Sequence, residues 1–126
     1  MKYLLDVNAL LAWAHPDADG HLTFHRWKKL VPPDELTTCA ITELGFVRIS
    51  MARFRYTRAQ AQQELAGLKR EIGHYLPALP PPVLPAWVTA HAHTTDAYLC
   101  QVARAHGLRL ATFDQGIRDP TALLLA

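Results

Sequence analysis

Tyr3-Leu4-Leu5 is a short run of continuous hydrophobicity, and Asp6 closes it at once. Such a run predicts a strand buried on both faces, the pattern of parallel sheets covered by helices. The strand is expected to run from Lys2 to Asn8, with Asp6 and Asn8 at its carboxyl edge, where open α/β sheets place their ligand sites. Leu108 to Phe113 (LRLATF) repeats the pattern and ends at Asp114. These two runs fix the frame for the rest of the chain.

Between them the periodicity is mostly helical. Ala9 to Ala14 predicts a short helix, and His15 to Gly20 carries the proline, aspartate and glycine of a loop. Residues 20–31 read as an amphipathic helix with Phe24, Trp27 and Val31 on its apolar face, stopped by Pro32-Pro33. Glu35 to Cys39 (ELTTC) predicts a second strand leading into a helix over Ile41 to Met51 that carries Glu43. Thr57 and Gln60 match a capping box, and the spacing of Ala61, Leu65, Leu68, Ile72 and Leu76 predicts a helix of about five turns. The prolines from Pro77 to Pro85 require an extended segment. A further helix is expected to be capped by Thr94 or Thr95, to hold Asp96 in its first turn and to stop at Gly107. Ala122 to Leu125 predicts a last short strand.

This order indicates the α/β class: a three-layer α/β/α sandwich with a mostly parallel central sheet. Residues 1–126 are expected to form one domain, because the residues beyond the proline-rich stretch are too few to build a core of their own. Half the residues are apolar and 19% are charged, which excludes a disordered chain. No stretch reaches the roughly 20 apolar residues of a membrane span. Cys39 and Cys100 form no ligand cluster, so reduced thiols in a cytoplasmic protein are expected. A formal charge of +2 permits a nucleic-acid partner without requiring one.

Asp6, Glu43, Asp96 and Asp114 all fall at junctions between elements, so the predicted topology allows them to converge on one sheet edge. Two carboxylates about 4 Å apart repel by roughly 4 kcal/mol at an effective dielectric near 20. A cluster therefore needs protons or cations, and all-oxygen ligation suits Mg²⁺ or Mn²⁺ rather than Zn²⁺. Each acid also has a plainer reading. Asp96 complements a helix dipole, Asp114 with Gln115-Gly116 makes a turn, and Glu43 is a solvated helix residue. Asp6, which interrupts an apolar strand, is the hardest to explain that way.

LLDVNALLA at the start, TELGFVRI at Thr42–Ile49, TDAYLCQVARAHG at Thr95–Gly107 and LATFD at Leu110–Asp114 resemble the PIN-domain ribonucleases, most closely the VapC-type toxins of prokaryotic toxin–antitoxin pairs. The resemblance covers nearly the whole chain and implies a metal-dependent endoribonuclease. It places the family's four acids on Asp6, Glu43, Asp96 and Asp114, with Mg²⁺, or Mn²⁺ in its stead, as the cofactor. Asn8 and Thr112 match its small polar positions and are expected to orient coordinated waters or a carboxylate. The implied partners are an RNA substrate, a cognate antitoxin and a second copy of the chain, in a homodimer or a larger assembly.

Arg48, Arg53 and Arg55 are candidate RNA contacts. Arginines flanking Phe54 and Tyr56 suit phosphate and base stacking, and equally suit a solvated loop whose aromatics pack inward. Two readings compete with the toxin: a housekeeping PIN ribonuclease of RNA processing, and a non-catalytic RNA-binding or interaction module. A phosphotransferase with Asp6 as nucleophile would carry a second aspartate where this chain has Asn8.

Overall fold

The computed structural model describes residues 1–126. Five strands form one sheet: β1 (Tyr3–Leu5), β2 (Leu36–Cys39), β3 (His74–Leu76), β4 (Arg109–Thr112) and β5 (Ala122–Leu124), in the order β3-β2-β1-β4-β5. Every pairing is parallel, so the sheet is wholly rather than mostly parallel. The helices are α1 (Val7–Ala14), α2 (His21–Lys28), α3 (Ala40–Arg53), α4 (Arg58–Lys69) and α5 (Thr94–Ala105).

Successive strand residues point to opposite faces, and the two faces bury different partners. Leu5, Leu36 and Ala111 join the side chains of α1, α2, α3 and α4, including Phe24 and Phe46. Leu4, Cys39, Leu76 and Leu110 join Leu99, Val102 and Ala103 of α5. Leu4 and Leu5 are both fully buried, as a central strand between two helical layers requires. Trp13 and Phe24 stack at 5.5 Å within the first core. The result is the three-layer α/β/α sandwich.

Three local expectations need correction. Strand β1 stops at Leu5, so Asp6 is the N-cap of α1 and Asn8 lies in its first turn rather than on the strand. Helix α4 starts at the expected capping box, where Thr57 and Gln60 satisfy each other's backbone N–H groups, but it ends at Lys69. Ile72 and Leu76 prolong its spacing by coincidence, and Leu76 belongs to the unpredicted edge strand β3. Gly73 sits at that switch: a Cβ there would stand 2.7 Å from the Pro33 carbonyl oxygen, so only glycine lets the chain pass so close. Helix α5 begins earlier than expected, with His93 as N-cap and both Thr94 and Thr95 inside it.

The proline-rich segment is tied down. Gln101 of α5 accepts a hydrogen bond from the Val83 N–H and donates to the Pro81 carbonyl, while the Tyr98 hydroxyl donates to Pro80. Gly107 takes the expected left-handed conformation (φ 69°) after α5. No helix is long and apolar enough to cross a membrane.

Candidate active site

The carboxyl edge of β1 and β4 holds a hydrogen-bond hub. Thr112, the last residue of β4, is fully buried, and its hydroxyl donates to Asp6 Oδ2 at 2.8 Å. The same hydroxyl oxygen accepts from the Asp114 N–H at 3.0 Å and from Asn8 Nδ2 at 3.3 Å. A threonine hydroxyl has one proton and two lone pairs, so Thr112 is fully used and cannot rotate without breaking a bond. Asn8 closes the ring by accepting from the Phe113 N–H through Oδ1 at 3.1 Å.

Asp6 is 4% exposed, and its other oxygen accepts from the Val7 N–H at 2.7 Å. Burial still raises its carboxyl above the usual range, opposed by the Thr112 and Val7 hydrogen bonds. Asp96 lies in the first turn of α5 and faces the charges of Asp6 and Asp114. Burial first, then the charges of Asp6 and Asp114, push Asp96 up to about 7. None of the three carboxylates has a lysine or arginine partner, for the structure's ion pairs are Lys28–Glu71, Lys69–Glu43 and Arg104–Asp119.

Glu43 is held differently. It projects from the first turn of α3, where Thr38 Oγ1 donates to its Oε2 at 2.7 Å and Lys69 Nζ lies 3.1 Å from its Oε1. Asp6, Asp96 and Asp114 therefore feel one another's charge while Lys69 neutralises Glu43, but no three acidic side chains stand close enough as they are to hold a metal ion. Neither Thr38 nor Lys69 stands out in the sequence. Thr38 leaves a faint signal, a hydroxyl in a four-residue strand that is buried throughout. A lysine twenty-six positions from its partner leaves none.

Two close approaches keep the edge compact. At Gly45 a Cβ would stand 2.5 Å from Val7 Cγ2, so α3 packs directly against the residue after Asp6. At Gly20 (φ 80°) a Cβ would meet the Phe113 ring at 2.8 Å.

Of the candidate arginines, Arg53 shares a cavity lining with Asn8. Phe54 and Tyr56 do pack inward. The buried His15 ring stacks on Phe54 at 3.9 Å, meets Tyr56 edge-on at 4.8 Å and bonds Ser50 through Nε2 at 2.9 Å. Arg48, Arg53 and Arg55 are exposed and enter no ion pair. Arg55 has a positive φ of 58°, a conformation that costs a residue with a Cβ on the order of 1 kcal/mol.

The chemistry of the cluster is legible without a ligand. It offers oxygen donors only, no lysine or arginine partner, and a carboxyl that added positive charge would ionise more readily. Oxygen donors of this kind suit a hard divalent cation, although the side chains as placed do not form a closed ligand set.

The PIN domain family model matches residues 3–123. The chain is 34% identical to ribonuclease VapC39 of Mycobacterium tuberculosis, an alignment covering 94% of this chain and 93% of the relative. Ribonuclease VapC38 of the same organism is also 34% identical, over 90% of this chain and 86% of its own. Ribonuclease VapC29 is 33% identical, over 93% and 89%. On the family match and these relatives, the chain belongs to the PIN-domain family, in its VapC branch.

Proposed function

We propose that this chain is a divalent-cation-dependent endoribonuclease and the toxin of a toxin–antitoxin pair, its residues 1–126 acting as one nuclease domain in the cytoplasm. The observation that carries the reading is the group Asp6, Asp96 and Asp114, three interacting carboxylates with no cationic side chain beside them. Its relatives are named ribonucleases, and the family resemblance of the sequence assigns the acidic positions to Asp6, Glu43, Asp96 and Asp114.

Asp6, Asp96 and Asp114 would hold Mg²⁺, with Mn²⁺ able to substitute, and Glu43 would join from α3 in exchange for its bond to Lys69. When bound, such a cation lowers the pKa of a water and offsets charge on the leaving oxygen of a phosphodiester. The protein's own residues prepare for that. Each Asp6 oxygen takes one hydrogen bond, which orients the carboxylate and leaves lone pairs free on both oxygens. Asn8 and Thr112 hold the Asp6 and Asp114 sides of the edge in register, a positioning role. Asp96, with its carboxyl pushed up by burial and by the charges of Asp6 and Asp114, would ionise more readily as positive charge enters the site. Arg48, Arg53 and Arg55 would contact the RNA, Arg48 and Arg55 at its phosphates, which planar guanidinium groups bind in a bidentate manner. An antitoxin protein and a second copy of the chain complete the proposed set of partners.

The test is RNA cleavage by purified protein with Mg²⁺ or Mn²⁺, with EDTA, and by Asp96→Asn prepared identically. Cleavage that needs the cation and disappears in the variant is the expected result. Equal cleavage by both proteins would trace the activity to a contaminant and remove the case for the site.

A further inference from the structure

A cavity of about 290 Å³ opens beside the hub, between α1, α3 and the loop after α1. Its lining begins at Asn8, which is one hydrogen bond from Thr112 and two from Asp6. Leu11, Ile49 and Phe54 give it apolar walls. Asp17 and Asp19 line the same space as Arg53, yet no ion pair joins either acid to the arginine. Opposite charges that share a small cavity without meeting leave room for a ligand that satisfies both.

We infer that this cavity is a nucleotide subsite that reads a guanine next to the phosphate being cut. The inference rests on the nuclease reading and adds its sequence preference. The volume lies at the small end for ligand pockets, suited to one base rather than to a larger group. Guanine is the base that offers both halves of the required pattern. Its O6 and N7 accept from an arginine fork, and its N1–H and 2-amino group donate to a carboxylate. Adenine lacks paired acceptors for an arginine fork, and uracil offers a single N–H. Cytosine crowds its amino group and its N3 and O2 acceptors onto one edge, whereas guanine spreads acceptors and donors over two edges and so reaches the loop acids and the α3 arginine together. The apolar walls take the face of the base, as flat rings in single-stranded RNA require. Two carboxylates also turn phosphates away from the cavity, so a base enters and the backbone stays outside.

The test uses the full chain and short single-stranded RNAs that differ at one position, with guanine, inosine, adenine, cytosine or uracil there. Binding is read by fluorescence anisotropy on Asp96→Asn protein, and cleavage is mapped on the wild type. A preference of about tenfold or more for guanine is expected, at a fixed distance from the cut. It should weaken with inosine, which lacks the 2-amino group, and collapse in Asp17→Asn/Asp19→Asn and in Arg53→Gln. These side chains are exposed, so the variants should fold, and an unchanged melting temperature checks it. Equal binding of all bases, or a guanine preference that survives the variants, would overturn the subsite. Selective binding that the variants abolish, with no cleavage by the wild type in Mg²⁺ or Mn²⁺, would uphold the subsite and overturn the nuclease reading instead.

Discussion

Helix α5 carries a carboxylate problem at each end and solves the two in opposite ways. Near its C-terminus Arg104 lies 3.1 Å from Asp119, whose side chain is 6% exposed. The Thr121 N–H also donates to Asp119, and these bonds hold its carboxyl below the usual range although burial opposes them. In the first turn of the same helix Asp96 is half-buried among Asp6 and Asp114 with no cation, and its carboxyl rises to about 7. The fold neutralises the carboxylate at one end of the helix and leaves the charge open at the other, where the proposed site lies. The difference between the ends of one helix argues for a ligand more directly than the acids do by themselves.

Removing the open charge should break the comparison most visibly. Asp96→Asn should lower RNA cleavage on the order of a thousandfold, comparable to losing a group that stabilises transition-state charge. In metal-free buffer the same variant should melt higher than the wild type, since like-charge repulsion is relieved. Activity and stability moving in opposite directions is the signature of a functional site; a fall in both would assign Asp96 a structural role. Thr112→Val attacks the hub instead. It strands the Asn8 amide and the Asp114 N–H, and should cost about 1–3 kcal/mol in denaturant unfolding. Cleavage should fall about 10–100-fold, while Thr112→Ser restores both. Gly45→Ala should force Val7 aside and cost about 1–3 kcal/mol by overpacking, with a matching loss of cation affinity if α3 truly sets the position of Asp6.

The acid dependence of stability sharpens the contrast. Asp96 has a folded-state pKa raised from 3.8 to about 7, so between those values the native chain binds more protons than the unfolded one. Metal-free stability should therefore fall as pH rises through that window and flatten above it, and saturating Mg²⁺ should erase the slope. Asp119 works the other way. Its lowered pKa adds stability that is present above the unfolded value and lost as pH falls through the folded one. Urea unfolding across pH, on wild type and Asp96→Asn, separates the two. The smallest effect should come from Lys69→Met. It frees Glu43 of its neutralising partner, and cation affinity by calorimetry should rise a few-fold. A weaker affinity would mean that Lys69 holds Glu43 in place rather than competing for it.

The central features are readable in the sequence because they rest on short-range rules. An apolar run ended by Asp6, a capping box at Thr57, and Gly107 after a helix each need only neighbouring residues to be interpreted. The end of α4 is not readable in that way. Leu76 continues a helical spacing, while its strand conformation is chosen by a partner, β2, more than thirty residues earlier. Asp6, Asp96 and Asp114 are recognisable by type and by place at element junctions. Their bonding is hidden, since the Thr112 hydroxyl joins groups 106 positions apart. The Lys69 partner of Glu43 is hidden for the same reason: long-range pairs leave no local pattern.

That span has a consequence for the life of the chain. A ribosome that has made Asp6 must add 106 positions before it reaches Thr112, and Asp114 comes later still. A nascent chain can form β1, β2 and the helical hairpin of α3 and α4 in that interval, but it has no β4 to carry the hub. Ribosome-bound intermediates and products truncated before β4 thus lack the Thr112 hub altogether. On the proposed reading, the activity would arise only after β4 has emerged, which would leave the interval of synthesis free for a partner to be ready.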